Sequence, residues 1–225
     1  MPPILDASLR MLQRLRRVTL LQLFTIGVRY LIGLAFVYAA FAMGKFSPPP
    51  ADQQSLIYNT EPIQDLSPIG QFFRIMTHSR LYWGFLGAAQ VLAGVLLVTQ
   101  RFAALGAVAF FGIILNIFVL TVGFEFRGTP VVTGLMLLAT TYLLVWDLDA
   151  FQPLFRRPER CLAIAPPTGC IASPFWGWWG AALCAAVVGA FALPKLALHM
   201  LFAAFGLGLV GMAGFAVVRL RRWRR

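Results

Sequence analysis

Six apolar runs divide this 225-residue chain, at positions 26–46, 81–99, 102–123, 130–146, 174–193 and 196–218. A hydrocarbon core about 30 Å thick needs roughly 20 helical residues at 1.5 Å each. Lipid offers no partner for a backbone N–H or C=O, so a run that crosses it must satisfy those groups internally, as a helix. The expected fold is therefore all-α: a polytopic transmembrane bundle of six spans, four in a first group and two in a C-terminal extension. Composition agrees, with 60% apolar and only 12% charged residues, against about one quarter charged in a soluble domain. A disordered chain, most soluble enzymes and a disulfide scaffold are excluded, the last because three cysteines cannot staple a chain this long. Thr129-Pro130 and Ser173-Pro174 each read as a helix start, with a hydroxyl at the N-cap and proline where its missing N–H costs nothing. Pro194 separates the last two runs.

Nineteen Lys and Arg against eight Asp and Glu give a net charge of +11. In a soluble chain that balance would point to nucleic acid. Here its distribution points to topology. With the N-terminus inside, fourteen of the nineteen basic residues fall on the cytoplasmic side, and Lys45, Arg74, Arg80, Arg127 and Lys195 fall outside. The bias places both termini in the cytoplasm and reads the basic tail 219–225 as an anchor, with no nucleic-acid partner.

Residues 1–25 form a cytoplasmic, basic, amphipathic segment. Leu5, Leu9, Leu12 and Leu15 share one face and Arg10, Arg14 and Arg17 the other, so it either lies on the membrane or extends the first helix. Ala40-Phe41-Ala42 imitates a signal-peptide cleavage site, but Arg29 interrupts the apolar run before it. One long exported loop, 47–80, opens on Pro48-Pro49-Pro50 and carries Ser67-Pro68 before Ile69, Phe72, Phe73 and Met76 at helical spacing. That pattern predicts a short amphipathic helix over the bundle end, as a lid or a binding element. Residues 150–173 form a cytoplasmic loop holding Cys161 and Cys170, which lack redox or zinc spacing.

Polar residues at membrane depth are the site candidates. On the second span Trp83, Gly87, Gln90 and Gly94 share a face; on the third, Ala109, Gly112, Asn116 and Gly123 align similarly. Small residues beside one amide predict close helix packing with a Gln90–Asn116 hydrogen bond, or a ligand site using the same pair. The outer end gathers Lys45, His78, Arg80, Glu125, Arg127 and His199. These form either a pocket for an anionic group or a quinone head, or a ring of boundary charges paired with each other and with lipid phosphates. Arg29 reads as a charge reaching the inner headgroups, and Asp147 and Asp149 as helix-ending residues. A haem between His78 and His199 is disfavoured, because His78 falls outside the apolar runs. No nucleotide-binding, zincin or nucleophilic-serine constellation is present.

Residues 26–149 resemble the DoxX-like family of small bacterial membrane proteins. The resemblance rests on Arg29-Tyr30-Leu31-Ile32-Gly33-Leu34-Ala35-Phe36 with Gly44-Lys45-Phe46, and on Gly87-Ala88-Ala89-Gln90-Val91-Leu92-Ala93-Gly94 with Gln100-Arg101-Phe102-Ala103. Asn116 and the Arg127-Gly128-Thr129-Pro130 turn complete it. It implies a four-helix membrane bundle and an accessory role in a membrane redox or quinone-linked system, beside a partner subunit or a second copy. The long outer loop and the 174–218 extension depart from that pattern. A small-solute or lipid-handling transporter and a ligand-free assembly factor are the other functions this architecture allows, and neither an inverted repeat nor a discontinuous helix pair supports transport.

Overall fold

The structure, a computed structural model, describes residues 11–46, 61–155 and 170–192 together with single positions between 199 and 214. Six helices of more than one short turn appear among them: α1 (Thr19–Ala42), α2 (Pro68–His78), α3 (Arg80–Val98), α4 (Ala103–Gly123), α5 (Thr129–Trp146) and α6 (Pro174–Ala192). Five of these, all but α2, are long and apolar enough to cross a membrane, and no strand occurs among the described residues. The chain is a multi-pass helical membrane protein. The expected sixth span lies largely outside the described residues; the single positions described within it, from His199 to Gly214, are helical. Residues 1–10 and the Pro48–Pro50 run also lie outside the described residues.

The first span starts earlier than its hydropathy suggests. Residues 11–15 are helical, the chain breaks at 16–18, and α1 begins at Thr19. Residues 11–15 are thus no straight extension of α1. Gln22, Thr25 and Arg29 are all buried on α1, so the helix starts with polar side chains that protein rather than lipid receives.

α1 is the central element, because both apolar clusters include it. Ile32 and Phe36 meet Ala93 and Leu97 of α3, Phe110 and Ile114 of α4, and Leu143 of α5. On its other side Ile26, Tyr30, Leu34 and Val37 meet Trp176, Leu183 and Val187 of α6. Without a hydrophobic drive between helices in lipid, dispersion decides the packing, and backbones must approach closely. At the α1–α3 crossing a Cβ on Gly94 would lie 2.6 Å from the Gly33 carbonyl oxygen and 2.7 Å from Val37. Gly106 holds α4 against the Leu97 amide of α3 in the same way, at 2.8 Å.

The face expected on the second span is the buried one: Trp83, Gly87, Gln90 and Gly94 all point inward on α3. The face expected on the third is not. Ala103, Gly106, Ala107, Phe110, Ile114 and Thr121 are buried on α4, whereas Gly112, Asn116 and Gly123 are exposed. The glycines at 106 and 112 compete for the helix crossing. The one flanked by Ala103, Ala107 and Phe110 offers a seam that fits α3, and this rotation turns Asn116 away from Gln90. At the start of α5 the N-cap is Gly128, in the left-handed region at φ 76°, with Thr129 already helical. The chain must turn sharply between two antiparallel spans, which glycine does without steric cost.

Candidate functional site

Buried polar groups gather at both ends of the bundle. At one end four charged groups, Arg16, Arg29, Asp147 and Asp149, tie α1 and the turn before it to the α3–α4 and α5 termini. The Arg29 guanidinium donates to both Asp147 carboxylate oxygens, at 2.9 and 2.7 Å, and to Gln100 Oε1 at 2.8 Å. Gln100 accepts because its backbone takes the left-handed conformation, φ 62°, uncommon for a side chain with a Cβ. Arg16 pairs with Asp149 through both guanidinium nitrogens, and Thr25 and Tyr142 share a hydroxyl–hydroxyl bond of 2.8 Å. Arg29 is therefore no headgroup-reaching charge, and Asp147 and Asp149 do more than end a helix. The signal was legible in principle: a cation inside an apolar run and two acids just past another run fall at the same membrane face. Removing one partner of such a buried pair costs roughly 3–5 kcal/mol, which marks this end as structural.

At the other end the cation is Lys45, which has no carboxylate partner among the described residues. After α1 the chain turns through Gly44, at φ 62°, where the amides of Met43, Gly44 and Lys45 donate to Ala39, Phe41 and Ala40 carbonyls. This helix-ending turn, which glycine serves best, folds Lys45 back along α3. There Gly87 admits it: a Cβ at that position would lie 2.8 Å from Lys45 Cβ and 3.0 Å from the Phe46 ring. The Lys45 ammonium donates to Gln90 Oε1 and sits 4.8 Å from the centroid of the Trp83 ring. Lys45 is 8% and Gln90 3% exposed.

Both ion pairs found among the described residues belong to the opposite end. Lys45 thus has one neutral acceptor and one aromatic face. The cation–π contact contributes up to about 2 kcal/mol when desolvated, less than the several kcal/mol that burying an ammonium costs. Burial accordingly pushes the Lys45 amine down to about 8.

The amphipathic helix expected in the exported loop is α2. Ser67 caps it, accepting from the Gly70 amide at 3.4 Å, with Pro68 in its first turn. Phe73 stacks edge-on against Trp83 at 6.3 Å, and Phe72 packs on Phe124 at 5.4 Å. α2 therefore spans from the start of α3 to the end of α4, beside the indole that faces Lys45.

The structure thus gathers some of the sequence-predicted residues and separates others. Lys45 and Gln90 meet, with Trp83. Glu125 and Arg127 line a separate open cleft of about 350 Å³ with Ser67, Ile69 and Phe124, and both are exposed. Arg80 and His78 are exposed where α2 passes into α3, and His199 is an exposed helical position of the last span. The expected Gln90–Asn116 bond does not form, because Gln90 is taken by Lys45 and Asn116 is exposed on α4. Trp83 is the site residue that the sequence placed on this helix face without giving it a part in the candidate site. Its signal was its place one turn from Gly87 on the Gln90 face. No group of three or more metal-ligating side chains forms among the described residues.

No family model matches the chain, and no solved structure matches it. The chain is similar to uncharacterized protein YwoB of Bacillus subtilis (strain 168), with 38% identity over 81 residues. That stretch is 36% of this chain and spans about half of the relative, 51% of its length.

Proposed function

We propose that the chain is a DoxX-like protein of the bacterial inner membrane that serves as an accessory subunit of a quinone-linked redox system. In this reading the Lys45–Gln90–Trp83 cluster holds the head of a quinone at the outer end of the bundle. The observation that carries it is the buried Lys45 ammonium, which among the described residues has a single neutral hydrogen-bond acceptor and no carboxylate partner. A quinone ring brings an electron-rich carbonyl oxygen that can accept from the remaining ammonium hydrogens, and its isoprenoid tail suits a site reached from lipid. Gln90 orients the amine, and Trp83 offers a flat aromatic wall. The chain supplies binding and orientation, and the electrons come from a partner subunit.

The test is quinone retention. Protein purified from membranes in mild detergent is expected to carry extractable quinone at near-equimolar level. Lys45→Met keeps the length and apolar stem without the donor, and should lower retention about tenfold, the worth of one charge-assisted hydrogen bond. Wild-type protein that retains none, even when loaded with excess quinone in liposomes, would overturn this reading.

A further inference from the structure

A second observation, on a different face of the bundle, concerns α4. Asn116 lies seven residues before the end of α4 at Gly123, about 10 Å along the axis and so well within the hydrocarbon depth. Its side chain is exposed and has no hydrogen-bond partner among the described residues. Other polar side chains in the interior of α4 and α5 are satisfied. Thr121 donates to the Phe118 carbonyl at 2.9 Å and contacts Thr133 at 3.1 Å. Thr140 and Thr141 donate back to Met136 and Leu137 carbonyls at 2.7 and 2.8 Å. Tyr142 bonds to Thr25. A threonine closes such a bond on its own helix, whereas an asparagine amide brings two donors and an acceptor and is too short to reach the headgroups. Facing lipid tails, it is left unpaired at a cost of the order of the full desolvation penalty.

We propose that α4 packs against α4 of a second copy of this chain, with the two Asn116 amides hydrogen-bonded to each other across a twofold axis normal to the membrane. Three features select a second copy over another partner. An amide carries donor and acceptor together, so one residue satisfies itself across the axis. Copies inserted with the same orientation hold Asn116 at equal depth, which the pairing requires. On the same face, one turn away, Gly112 is exposed with no atom within 4 Å of where its Cβ would lie, so a second backbone can approach closely. Leu105, Val108 and Val119 continue the stripe and are exposed. The opposite face of α4 is already committed to α3 and α5.

Association is measured by energy transfer or stepwise photobleaching between labelled copies in liposomes, over a series of protein densities. Wild type is expected to dimerise, Asn116→Leu to weaken dimerisation roughly tenfold, and Asn116→Gln to restore most of it. Gly112→Leu is the second variant. It adds a side chain into open space on the monomer, so the fold is kept, and it should separate the two helices and abolish dimers. Leu138→Ala, exposed on α5, should change nothing. Copies that remain monomeric at every density overturn the proposal, as does a dimer indifferent to both Asn116→Leu and Gly112→Leu. A dimer lost on Leu138→Ala but kept in the α4 variants assigns the interface elsewhere and equally overturns it. Quinone retention does not enter these readouts, so this proposal and the functional reading fail separately.

Discussion

Arg29 lies within α1 and Lys45 in the turn that follows it, and the bundle treats these two basic residues oppositely. Arg29 meets two carboxylate oxygens and an amide oxygen, which match the fork of its guanidinium. Lys45 meets one amide and an indole face. The first arrangement is closed and the second is open to a further acceptor. The difference has a pH signature. Lys45 binds its proton less tightly in the folded protein, at about 8, than in the unfolded chain, at about 10.4. Between those values the unfolded state holds more protons, so stability rises with pH across that window and is lowest below about 8. Thermal unfolding in detergent should show the melting temperature of wild type climbing from pH 7.5 to 10. Lys45→Met should start higher and lose that slope. An unchanged slope in the variant would assign the rise to another group. A methionine that stabilises the fold while removing ligand retention is the behaviour expected of a site residue.

At the scale of the element, glycine placement decides which helix face is inward. α3 carries Gly87 and Gly94 on one face; the first makes room for Lys45 and the second for the α1 backbone. Gly94→Leu would drive a side chain into the Gly33 carbonyl and Val37, where neither neighbour is a flexible end. The expected result is a loss of several kcal/mol, beyond the 1–3 kcal/mol typical of overpacking, measured as loss of the folded, detergent-extractable protein. The same substitution at Gly112 meets no atom within 4 Å and should leave the monomer's unfolding unaffected. Sequence spacing alone could not separate these two positions. Both are glycines in apolar runs, one turn from another small residue or an amide, and periodicity reports a stripe without saying what lies opposite. The inward face of α3 was legible because Trp83, Gly87, Gln90 and Gly94 coincide on it. That of α4 was misread because Asn116 was assumed to need a partner inside the chain.

Across the whole molecule α1 joins the two apolar clusters, with α3, α4 and α5 on one side and α6 on the other. Its window is the most buried of the five candidate spans and that of α5 the least. Amide hydrogen exchange in detergent should therefore be slowest in the middle of α1 and faster in α5, since local opening follows buried contact. Exchange slower in α5 than in α1 would mean that α5 is covered by something outside the chain. The sequence by itself determined the class of fold, because a 20-residue apolar run in lipid has no way to satisfy its backbone except as a helix. It also determined where charge collects, and it marked the amphipathic helix over one end. Tertiary structure alone decided which charges cancel and which amide is spoken for. Those outcomes depend on the rotation of each helix about its own axis, set by a few glycine contacts between elements far apart in the chain. So Lys45 and Gln90, 45 positions apart, form the candidate site, and Asn116 faces outward instead of completing it.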